Sequence, residues 1–75
     1  MSNKLSLKNH VVRSHGFYGT WGRGLTIQEA LKNADLELTD SFDYFHFKND
    51  NWDILDTGNV TYNRDILIHH ETFKK

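Results

Sequence analysis

Only one stretch of this chain carries a helical period, and that constrains everything around it. Thr26-Ile27-Gln28-Glu29 is a capping box. Thr at the N-cap and Glu three residues on can each satisfy an amide that the first turn of a helix leaves without a partner. Ile27, Ala30, Leu31, Ala34 and Leu38 then recur at spacings that stack on one face, with Lys32, Asn33 and Asp35 on the other. The pattern predicts a helix over residues 27–36. Ala30 and Ala34 are small enough to let it lie close to a sheet.

The flanks read as strands. Residues 10–21 place Val11, Phe17 and Trp21 on one parity and Val12, Tyr18 and Thr20 on the other. Gly16 and Gly19 mark a bulge or a hairpin break. Gly19, Gly22 and Gly24 with Arg23 read as a flexible turn into the helix rather than a phosphate cradle, because Thr26 already uses part of the amide set.

After the helix, Phe42, Tyr44 and His46 alternate with Asp43, Phe45 and Phe47. Asn49-Asp50-Asn51, Asp56-Thr57-Gly58-Asn59 and Asn63-Arg64-Asp65 are turn signals separating Trp52–Leu55, Val60–Tyr62 and Ile66–Glu71. Short turns imply neighbouring antiparallel strands. The expected fold is α+β: one amphipathic helix packed on a four- or five-stranded antiparallel sheet, in the order strand or strands, helix, meander. The chain reads as a single domain, 1–75, with 1–4 and 72–75 frayed. Ile66-Leu67-Ile68 is apolar on both faces, which suits a central strand or one covered by a second copy.

With 75 residues and no cysteine, no disulfide or thiolate metal site can support the core, so a homodimer is one way to complete it. No apolar run approaches the length of a membrane span, about 20 residues. Met1–Leu5 lacks the apolar region of a signal peptide, so a cytoplasmic protein is expected.

The formal net charge of −1 conceals an asymmetry. Lys4, Lys8, Arg13, Arg23 and Lys32 against Glu29 leave residues 1–34 at +4. Asp35, Glu37, Asp40, Asp43, Asp50, Asp53 and Asp56 against Lys48 leave residues 35–56 at −6. If gathered on one surface, the acidic block would steer a basic partner.

No nucleophile stands with a supporting base. The chain has no cysteine and no Gly-x-Ser-x-Gly elbow, and Ser14-His15 and Asp43/His46 lack a third group to orient them. No enzyme activity and no cofactor are expected. Among the five histidines, adjacent His69 and His70 point to opposite faces of a strand, and His10 and His15 differ in parity. A metal site would need His46 with another histidine across the sheet, and none is predicted.

Two resemblances add to this reading. His15-Gly16-Phe17-Tyr18-Gly19 and Asp43-Tyr44-Phe45-His46-Phe47 resemble the paired aromatic motifs of small RNA-binding sheets. The first departs in lacking a leading basic residue, the second in lying within the acidic block. Trp21-Gly22-Arg23-Gly24-Leu25-Thr26-Ile27-Gln28-Glu29-Ala30-Leu31-Lys32-Asn33-Ala34 resembles the strand, glycine turn and helix of small accessory proteins from phages, plasmids and integron cassettes. Some such proteins bind and block a host complex, which the resemblance implies here.

The resulting expectation is a non-enzymatic protein-interaction module. Its acidic and aromatic face would comprise Phe42, Asp43, Tyr44, Asp50, Trp52, Asp53, Asp56 and Tyr62, with aromatics as anchors and carboxylates steering an unidentified basic protein. The alternative is a small RNA- or DNA-binding module using Arg13, Tyr18, Trp21 and Arg23.

Overall fold

A computed structural model describes residues 9–15, 20–55 and 59–74. Its elements are β1 (His10–Ser14), β2 (Trp21–Gly24), α1 (Ile27–Asn33), β3 (Phe42–Phe47), β4 (Trp52–Ile54), β5 (Val60–Tyr62), a 3-10 turn (Arg64–Ile66) and β6 (Leu67–Phe73). The expected α+β class is observed. Tyr18, Asp56, Leu5, Leu7 and the glycines at 16, 19 and 58 lie outside the described residues.

The strands after the helix do not form one meander. β2, β1, β3 and β6 make an antiparallel sheet in that order, while β4 and β5, among the described residues, pair only with each other. The reason lies in β3, which is apolar on both faces. Phe42 meets Val12, Ala30, Leu31 and Ala34 beneath the helix, while Phe45 and Phe47 join Val11 and Ile66 on the opposite face. One helix covers only one face. Leaving two phenylalanines in water would forfeit about 1.5–3 kcal/mol each, a large share of a small domain's stability. The β4–β5 hairpin covers them instead, with Trp52, Ile54, Val60 and Tyr62 packed on that second core. Turn lengths predict which strands pair, but not that a hairpin will leave the sheet and lie on it.

The helix begins as its sequence predicts. The Thr26 hydroxyl accepts from the Glu29 amide at 3.1 Å, and the Glu29 carboxylate accepts from the Leu25 amide, one residue before the N-cap, at 3.2 Å. It ends earlier than residue 36. Asp35 turns left-handed at φ 61°, and the amides of Leu36 and Asp35 bond back to the carbonyls of Leu31 and Lys32 at 2.9 and 3.1 Å. This is the Schellman arrangement, with aspartate where glycine is usual. Leu38 therefore leaves the apolar stripe and stands 64 % exposed.

Trp21-Gly22-Arg23-Gly24 is a strand, not a flexible turn. Gly22 and Gly24 face the helix, and a Cβ on Gly22 would lie 2.4 Å from the Ala34 amide nitrogen and 2.5 Å from the Ala30 carbonyl oxygen. The glycines serve close approach of strand and helix, as Ala30 and Ala34 do from the other side. β6 also continues further than expected, through Thr72 and Phe73, which pair with Asp43 and Phe42. Ile66 belongs to the 3-10 turn and is buried, while β6 lies at the sheet edge and Ile68 is 53 % exposed. The central-strand option for Ile66-Leu67-Ile68 is thereby removed.

Candidate functional site

The expected acidic and aromatic face separates into three places. Phe42 is fully buried under the helix and cannot anchor a partner. Tyr44 lies on the helix side of the sheet, packed against that core. Asp43 lies on the hairpin side, buried in an ion-pair network. Asp50, Trp52, Asp53 and Tyr62 do come together.

These four residues, with Asn51 and Thr61, line an open depression of about 290 Å³ at the base of the β4–β5 hairpin. Its floor comes from strand pairing: Trp52 and Tyr62 are register partners. Trp52 stacks on Phe47 with ring centroids 5.5 Å apart, and Tyr62 meets Phe47 at 5.1 Å. Its rim comes from the preceding turn, where the Asn51 amide donates to the Asn49 side-chain oxygen at 2.8 Å. The Asp53 carboxylate is oriented by the Ile54 amide at 2.8 Å. The Arg23 guanidinium, from β2, lies 5.5 Å from the centroid of a Trp52 ring. Trp52 is therefore already a cation platform. Its indole nitrogen is buried without a hydrogen-bond partner among the described residues. Pockets that enclose small molecules run from about 300 to 1,000 Å³ and cover most of the ligand. This depression suits a single side chain of a larger partner.

Asp43 forms a separate centre. Arg13 Nη2 approaches it at 2.8 Å, the Thr72 hydroxyl at 2.7 Å, His15 Nε2 at 3.1 Å and His70 Nε2 at 3.6 Å. Burial alone would raise the carboxyl. The hydrogen bonds from Thr72 and Arg13 and the neighbouring His15 outweigh it and hold Asp43 at about 2. The carboxylate is spent on joining β1, β3 and β6, so it does not steer a partner. No spacing rule reveals this network, because Arg13 and Thr72 reach Asp43 only once the registers of two strand pairs are fixed.

The alternative patch is half assembled. Arg13 and Trp21 are register partners, and Arg23 shares their sheet face. Trp21 is 40 % exposed. Both guanidiniums are engaged, however: Arg13 with Asp43 and with Asn59 at 3.2 Å, and Arg23 with Trp52.

On the helix side, His10, His46 and His69 fall in one row across β1, β3 and β6. His10 stacks on His46 at 4.2 Å and shares a 2.6 Å hydrogen bond between its Nδ1 and the Tyr44 hydroxyl. Burial, then the charge of His46, lowers the His10 pKa; burial raises that of Tyr44. Among the described residues, no group of three or more His, Asp or Glu is arranged to hold a metal ion. No helix there is long and apolar enough to cross a membrane.

No protein-family model, no curated protein and no solved structure matches this chain.

Proposed function

We propose that this chain is a non-enzymatic protein-interaction module whose hairpin depression receives a basic side chain from a protein partner. The observation that carries this reading is that two acidic residues, Asp50 and Asp53, and two aromatic residues, Trp52 and Tyr62, line one open hollow. Carboxylates attract a guanidinium or ammonium group, and a partner's cation would compete with Arg23 for cation–π contact at Trp52. An accessory factor of a phage, plasmid or integron cassette that occludes a basic surface of a host complex would work in this way.

The test is titration with a short arginine-rich peptide at low and moderate salt. Binding should weaken as salt rises, and Asp50→Asn with Asp53→Asn should reduce affinity about tenfold or more, as loss of two charge-assisted contacts implies. Equal affinity in the double variant would overturn the reading. Tighter binding of a single-stranded oligonucleotide, with loss on Arg13→Ala, would support the nucleic-acid alternative instead.

A further inference from the structure

We propose that β6 pairs with β6 of a second copy, extending the sheet across a two-fold axis at His70. This surface is distinct from the hairpin depression.

β6 is the outer strand of the sheet, and no strand covers its far side among the described residues. Its residues from Ile68 to Thr72 are all exposed. Natural edges are commonly protected by lysine or proline, yet Leu67–Phe73 contains neither.

The hydrogen-bond phase fixes which backbone groups point outward. The Phe47 amide bonds to the Asn9 carbonyl at 3.0 Å and the His15 amide to the Ser41 carbonyl at 3.4 Å. Antiparallel bonding alternates by residue, so Asp43, Phe45 and Phe47 bond toward β1, and Phe42, Tyr44 and His46 toward β6. Their partners Phe73, Glu71 and His69 then bond inward. His70 and Thr72 turn their amides and carbonyls to the open edge.

The sequence of the strand selects the register. With His70 facing His70 of the second copy, His69 faces Glu71 on the helix side of the sheet, and this pair occurs twice. An imidazole and a carboxylate are thus matched on both sides of the axis, as stable cross-strand pairs require. A shift by two residues in one direction sets Glu71 against Glu71. A shift in the other sets His69 against His69. All three registers have the two-fold symmetry an isologous contact needs, and the His70-centred one alone among them sets an imidazole against a carboxylate.

The native chain has no cysteine, which makes the test direct. His69→Cys and Glu71→Cys are made singly, and the two proteins are oxidised separately and mixed. In the proposed register these positions form a pair without mutual hydrogen bonds, at a Cα separation of about 4.5 Å, within disulfide range. The mixture should give the mixed cross-linked dimer, and neither variant alone should cross-link appreciably. Self-cross-linking of one variant would overturn the register. In sedimentation equilibrium the unmodified chain should be dimeric at high micromolar concentration. Ile68→Lys should be monomeric with its circular dichroism retained, because that side chain is 53 % exposed and a lysine on an edge strand opposes pairing. A native chain monomeric throughout would overturn the pairing itself.

Discussion

The two faces of the central sheet are closed by opposite means. On the helix face, bulk is removed: Gly22 and Gly24 on β2 and Ala30 and Ala34 on α1 bring two backbones together. On the hairpin face, bulk is added: Phe45, Phe47, Trp52 and Tyr62 fill the gap with rings. Close backbone contact leaves no room for a site. Ring packing under a short hairpin leaves an uneven surface, and the depression forms there. The helix face thus positions the sheet, and the depression lies at the hairpin.

This contrast breaks in different ways on the two sides. Phe47→Ala should have the largest effect, about 4 kcal/mol, because it empties the centre of the ring cluster beneath Trp52. Urea unfolding measures it, and a loss below about 1 kcal/mol would mean the hairpin is not packed on the sheet. Gly22→Ala should follow at about 3 kcal/mol, since the new methyl meets helix backbone rather than yielding side chains. The usual small stabilisation from replacing glycine would here be reversed.

Acid should have the smallest effect, and it should act on both faces in turn. The folded His10 pKa lies below its ordinary 6.5, so the unfolded chain binds protons first and stability falls as pH drops below that value. The folded Asp43 pKa, at about 2, lies below its ordinary 3.8, so a second loss follows as pH falls through that interval. That second step is worth about 2 kcal/mol. Asp43→Asn should abolish it and leave the first, as pH-dependent thermal unfolding would show.

The sequence made some of this fold legible. A capping box and an apolar stripe place the start of the helix, and the alternation from Phe42 to Phe47 places β3. The helix end was hidden because aspartate, not glycine, takes the left-handed position. Gly22-Arg23-Gly24 reads as a turn because glycine's conformational freedom and its lack of a side chain leave the same mark in a sequence. Here the missing side chain is what the fold uses. Asp50, Trp52, Asp53 and Tyr62 could be chosen as a group because a turn and a hairpin bring them together locally. Asp43 and Phe42 could not be sorted, because their environments depend on registers between distant strands. The acidic block likewise divides, with Asp35 ending the helix, Asp43 buried, and Asp50 and Asp53 at the depression.

The chain's two tryptophans sit on the two competing surfaces, so the peptide titration can be followed at their indole N–H resonances. Trp52 reports the depression, and Trp21 reports the exposed patch on β2. If the hairpin receives a basic side chain, the arginine-rich peptide shifts the Trp52 resonance, leaves that of Trp21 in place, and loses its effect in the variant carrying Asp50→Asn and Asp53→Asn. A shift confined to Trp21, or a Trp52 shift that persists in that variant, would contradict the account.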